Sequence, residues 1–202
     1  MGVKEKANEE FAHYLFRAGQ YHARHGPRKI HTPPAYVTVS KGLILEAFSR
    51  VIADAGLPGE VIAKAMGGWA KYLMVQLNQM DLGYQVALEF SRGEMPVRVK
   101  VFGRLRSVIG GNEITVHIEP NSQVADLCKK VFNYYPLARR ESLERVWDSE
   151  EKRDSQWVEV YPVYIPRKGW RILLNGRDVQ FEDGFETRIE KDDVISIFPP
   201  GR

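Results

Sequence analysis

RILLNGRDVQFEDGFETRIEKDDVISIFPP, residues 171–200, is the stretch whose reading decides the fold. Ile172, Leu173 and Leu174 run into Asn175-Gly176, a dipeptide that tolerates the left-handed backbone a two-residue hairpin turn demands. The chain then passes through Val179 and Phe181 and reaches the acidic turn Lys191-Asp192-Asp193. Val194 to Phe198 follow as a short apolar run bounded by turn residues, which reads as a closing strand.

Upstream, Val97, Val99 and Val101 alternate with Arg98, Lys100 and Phe102, a period of two that marks a half-buried strand. Gly110-Gly111-Asn112 turns the chain, and Ile114, Val116 and Ile118 return on the same alternation. Pro120-Asn121-Ser122 is expected to cap a helix on which Val124, Leu127, Cys128 and Val131 share a face. Cys128 therefore belongs to a core stripe. A core role is accordingly expected for it and not that of a nucleophile.

Between helix and closing strands lies a charged insertion at about 137–169. From Arg139 to Asp154, 11 of 16 residues are charged, five positive and six negative, which predicts a solvated helix and no polyanion site. Trp157, Val158, Val160, Val163 and Tyr164 then suggest an extra strand or extended arm before Arg167-Lys168-Gly169.

The blocks VRVKVFGRLR, SQVADLCKKVF and the quoted stretch with its LLNGRDV turn and final Ile197-Phe198-Pro199-Pro200 are together similar to the MoaD/ThiS family of sulfur carriers, molybdopterin synthase small subunits among them. The resemblance covers roughly half the chain, from about Met95 to Arg202. It implies a ubiquitin-like β-grasp sheet crossed by one helix, with a C-terminal tail that leaves the last strand. It also implies a function: an E1-like adenylating enzyme activates the tail's terminal glycine carboxylate, which becomes a thiocarboxylate and passes sulfur to a pterin or thiazole precursor. Glycine suits such a tail because bare backbone threads a narrow channel without a side-chain clash. Here the expected tail is Pro199, Pro200, Gly201 and Arg202, ending Gly-Arg where the family has Gly-Gly. Burying an unpaired guanidinium would cost several kcal/mol. Removal of Arg202 or an acidic residue in the partner's channel would restore the chemistry. Otherwise the domain serves as a non-conjugating adaptor or accessory subunit. Partners so implied are the E1-like enzyme, a large synthase subunit or a pterin-dependent oxidoreductase.

The same alternation that puts Val97, Val99 and Val101 inside puts Phe102 outside. Leu173 and Phe198 join it if Ile172, Leu174, Ile195 and Ile197 face the core. Phe102, Leu173 and Phe198 are accordingly the expected partner-binding patch, since exposed apolar patches on soluble domains mark interfaces.

The N-terminal part reads differently. Phe11, Tyr14, Leu15, Ala18 and His22 recur at helical spacing, and Arg28 to Thr38, with Pro33-Pro34 inside, reads as an extended linker. Ser40 is the expected cap of a second helix carrying Ile44, Phe48, Val51 and Ile52. A third begins near Gly59, with Gly67-Gly68 predicting either a break or a close helix contact, and Leu82 to Phe90 reads as a short fourth segment. Gly93 and Pro96 close the helical pattern. The fold class is thus α+β: a helical N-terminal domain over 1–95 and the β-grasp domain over 96–202. The apolar stripes of the helices also suit a homodimer.

Several functions are excluded by composition. Net charge is +3 over 202 residues, shared as 11 basic against 9 acidic residues before the boundary and 18 against 17 after it, with no one-sided basic run for nucleic acid. One cysteine allows no intrachain disulfide and no multi-cysteine metal site, which suits a cytoplasmic setting. No apolar run is long enough for a membrane span, and MGVKEKANEEF lacks a signal core. His22 and His25 could share a helix face, yet no acidic residue or cysteine completes a metal set. Gly67-Gly68-Trp69 follows no strand and precedes no Lys-Ser or Lys-Thr, so it is no phosphate loop. No triad, paired-carboxylate or dinucleotide motif is visible. The expectation is a carrier or binding protein with no cofactor and no catalytic residues of its own.

Overall fold

A computed structural model describes residues 8–150, 156 and 158–200. The chain divides into two compact units, Met1–Glu89 and Phe90–Arg202.

In the first unit, α1 (Glu9–His22) opens on Asn8, whose side chain accepts a hydrogen bond from the Phe11 amide. The next helix, α2 (Pro34–Ala53), begins inside the stretch expected to be a linker. Proline stands in its first turn, where the missing amide would have had no helical partner anyway. Ser40 is therefore not a cap; it lies inside the helix and its hydroxyl donates to the Val37 carbonyl. The long α3 (Gly59–Ser91) absorbs both the expected break and the expected fourth segment. A Cβ added at Gly67 or Gly68 would meet nothing within 4 Å, so these glycines mark neither a break nor a contact. Close packing occurs at glycines the spacing did not single out. A Cβ on Gly19 of α1 would run into the carbonyl of Met80 on α3, and one on Gly83 of α3 into the carbonyl of Phe16 on α1.

The second unit starts with Phe90, whose ring lies 4.2 Å from that of Tyr134. Its strands are β1 (Met95–Val101), β2 (Glu113–Ile118), β3 (Leu143–Glu150), β4 (Glu159–Pro166), β5 (Arg171–Leu174), β6 (Arg177–Asp178) and β7 (Val194–Phe198). Its helices are α4 (Leu105–Ile109), α5 (Val124–Tyr134) and α6 (Pro136–Ser142). The main sheet has the order β2-β1-β7-β5-β6, with β1 and β7 parallel and the other pairs antiparallel. One face of α5, carrying Val124, Leu127, Cys128, Val131 and Phe132, packs in a single core with Val97, Val99, Val101, Val116, Ile118, Ile195 and Ile197. This is the ubiquitin-like β-grasp, with the helical extension before it. Each fully buried Val or Ile of that core contributes about 1.5–3 kcal/mol.

Three local readings are corrected here. A short helix, α4, separates β1 from the turn at Gly110-Gly111-Asn112. The N-cap of α5 is Gln123, whose amide donates to the Asp126 carboxylate 2.9 Å away; Asn121 lies in the preceding turn at φ +68°. The expected solvated helix over 139–154 ends at Ser142, and β3 pairs with β4 as a two-stranded hairpin, Val146 opposite Val163 and Trp147 opposite Pro162. A β-branched and aromatic partner strand outweighed a charge pattern that either structure tolerates on an exposed face. Trp157, expected in this arm, lies outside the described residues.

Candidate functional site

The two turns of the C-terminal stretch form one hydrogen-bonded unit. Asn175 at φ +50° and Gly176 at φ +89° make the primed turn that joins β5 to β6. The Asn175 side chain donates to Asp193 at 2.7 Å and accepts from the Val194 amide at 2.9 Å, while Asp193 also accepts from the Glu190 amide at 2.7 Å. Residues distant in sequence thus fix where β7 begins.

Where β7 ends, two further glycines matter. The Phe102 amide donates to the Ile197 carbonyl, extending the β1–β7 pairing by one step. The Phe102 and Phe198 rings then stack at 4.0 Å with 12° between their planes, and the Arg106 guanidinium lies 5.2 Å from the Phe102 ring. Arg106 also donates to the Val101 carbonyl, which holds it beside that ring. Pro199 lies over Gly103, where a Cβ would approach its Cγ to 2.9 Å; Pro200 lies against Gly169, with 3.5 Å to a Cβ placed there. Both glycines have positive φ, +55° and +87°, so the backbone turns away at both points where the tail passes.

Of the residues expected to bind a partner, Phe102 and Phe198 are therefore in contact, both partly exposed. Leu173 is partly exposed on β5 and pairs with Ser196, two residues before Phe198 on the same face of the sheet. Of the tail residues, Pro199 and Pro200 are described; Gly201 and Arg202 lie outside the described residues. Gly103, Gly169 and Arg106 are additions that the sequence reading missed. Phe102-Gly103 just after a strand was the one local signal available for them.

Cys128 is buried, and burial pushes its thiol up to about 12. It is a core residue without thiolate character at neutral pH. Among the described residues no group of three or more His, Cys, Asp or Glu is placed to hold a metal, and no helix is long and apolar enough to cross a membrane.

The sequence profile of the ThiS family matches residues 99–201, from the middle of β1 through the tail. The chain belongs to the ThiS family. It is thus a member of the ubiquitin-like sulfur carriers and modifiers. Small archaeal modifier protein 3 of Haloferax volcanii is 27% identical over 106 residues, which is 52% of this chain and 96% of that protein. Among solved structures, small archaeal modifier protein 1 from Methanosarcina acetivorans is 25% identical with a TM-score of 0.39, over 52% of this chain and 93% of that one. A chain of the Amycolatopsis orientalis BexX/CysO complex is 20% identical with a TM-score of 0.36, over 52% and 97%.

Proposed function

We propose that this protein is a sulfur carrier in molybdenum or tungsten pterin cofactor biosynthesis, with Gly201 as the acyl site once Arg202 is removed or accommodated. The observation that carries the reading is the root of the tail. Pro199 lies over Gly103 and Pro200 against Gly169, which supports a tail rooted at a fixed point on the domain. Carriage needs a carboxylate on an accessible segment and no catalytic side chain. An E1-like adenylating enzyme supplies the activation, and a large synthase subunit is the partner with which the tail's sulfur passes to the pterin precursor.

A second reading rests on the Phe102–Phe198 stack. The domain would act as a non-conjugating adaptor for a pterin-dependent oxidoreductase, binding through Phe102, Leu173 and Phe198. In both readings the protein works in the cytoplasm, and the helical unit, whose α2 buries no residue, offers the surface for a homodimer.

Intact mass of the protein purified from its own cells separates the readings. Loss of Arg202, with or without a gain of about 16 Da for oxygen replaced by sulfur, is expected of a carrier. An unprocessed chain retaining Arg202, together with loss of partner binding in Phe102→Asp but not on deletion of residues 201–202, would establish the adaptor instead.

A further inference from the structure

Helix α2 is apolar on more sides than its own unit covers. Twelve of its 20 residues are Ala, Val, Leu, Ile, Phe or Tyr and three are charged, yet none is buried. One side is held to α3: Phe48 stacks on Trp69 at 4.1 Å, and Lys41 donates to the Gln76 side chain. Another side is bare. Tyr36, Val39, Leu43 and Val51 are 69, 59, 61 and 68% exposed, and they recur at helical spacing over about four turns. A helix that is apolar on two sides belongs in a core or in an interface.

Two observations make a second copy of this chain the occupant. The first is self-complementarity. Tyr36, Leu43 and Arg50 follow one another at intervals of seven residues, so they lie along one line of the helix. A two-fold axis at Leu43, with the helices antiparallel, sets Leu43 against itself and Tyr36 of each copy against Arg50 of the other. The Arg50 side chain is 76% exposed, and a guanidinium over a tyrosine face is attractive. Glu46 is ion-paired with Arg50, so two such faces meet without a net like charge. The second observation is size. With Ile44, 40% exposed, the bare side chains offer roughly 400–500 Å² of apolar surface per copy. At the ~65% apolar share of a homodimer interface this corresponds to about 700 Å² per copy, close to the ~800 Å² per partner of a specific contact.

We propose that α2 forms the two-fold interface of a homodimer, antiparallel to α2 of a second copy and centred on Leu43. The proposal rests on the homodimer reading given above and assigns its face and its axis. Both readings of the tail stand whether or not it holds, because intact mass tests those separately.

The test is sedimentation equilibrium of the full-length chain between about 1 and 100 µM. A dimer is expected, with Leu43→Asp raising its dissociation constant about a hundredfold and Arg50→Ala about fivefold. Val75→Asp, at a position of α3 that is 54% exposed, is expected to leave the dimer unchanged. Leu43 and Val75 are both on the surface, so neither change removes a core contact, and circular dichroism checks that each variant keeps its helices. On mild oxidation Leu43→Cys is expected to form an interchain disulfide and Val75→Cys is not; the native Cys128 is buried and stays out of the reaction. A monomer at roughly 100 µM would overturn the proposal and leave the face to another occupant. A dimer indifferent to Leu43→Asp, or one that cross-links through position 75 and not through position 43, would overturn it equally.

Discussion

At Gly103 the backbone sits at φ +55°, and an added Cβ would press on Pro199 from one side while straining the left-handed turn from the other. Gly103→Ala is therefore expected to destabilise the β-grasp unit by about 1–2 kcal/mol from the turn alone. It should also displace the Pro199-Pro200 segment, read by thermal melting and by amide shifts of Phe102 and Phe198. Cys128 gives the residue scale a second prediction. Its folded pKa is raised from 9.0 to about 12, so the unfolded chain loses its proton first. From pH 9 to 12 the native state binds more protons than the unfolded one, so this group's contribution to stability falls as pH rises through that range. Denaturant melts at pH 8 and pH 10 of the native chain and Cys128→Ala should show the native chain losing more. A thiol reagent at pH 8 should react only on unfolding.

Among the elements, α3 shows that a glycine pair need not break a helix when the rest of the sequence propagates it. Gly67→Ala or Gly68→Ala, with open space around the new methyl group, is expected to stabilise α3 by about 1 kcal/mol. Gly19→Ala and Gly83→Ala should do the opposite, because each methyl group meets a backbone carbonyl of the other helix, which cannot move as a side-chain end would. Circular dichroism melts of the four variants check both signs. The β3–β4 hairpin was misread for a related reason. Charges at helical spacing describe only what an exposed surface tolerates, whereas strand formation was decided by the partner, Val160 to Ile165, further along the chain. By contrast β1, β2, β5 and β7 were legible because one face of each packs on the core and leaves its alternation in the sequence.

For the whole molecule, the question is where the β-grasp unit begins. The helical-to-strand change of period lies near Met95, yet the core includes Phe90, 8% exposed and packed on Tyr134 and Tyr135. A fragment of residues 90–202 is expected to fold and to exceed a 96–202 fragment in stability by about 2–3 kcal/mol, the worth of burying one such ring. Urea melts of the two fragments measure it, and equal midpoints would place the boundary at Met95.

The sequence by itself determined the β-grasp, the family and the identity of the core, because alternation along a strand and spacing along a helix record which side of each element avoids water. It also singled out the LLNGRDV and Lys-Asp-Asp turns. Only the tertiary structure showed that they are hydrogen-bonded to each other, that Gly103 and Gly169 make room for Pro199 and Pro200, and that Gly19 and Gly83 are the packed glycines while Gly67 and Gly68 are not. The physical reason is common to all three: a glycine or an asparagine looks the same in sequence whether open space or a distant backbone lies beside it, and that neighbour is fixed only when the chain folds.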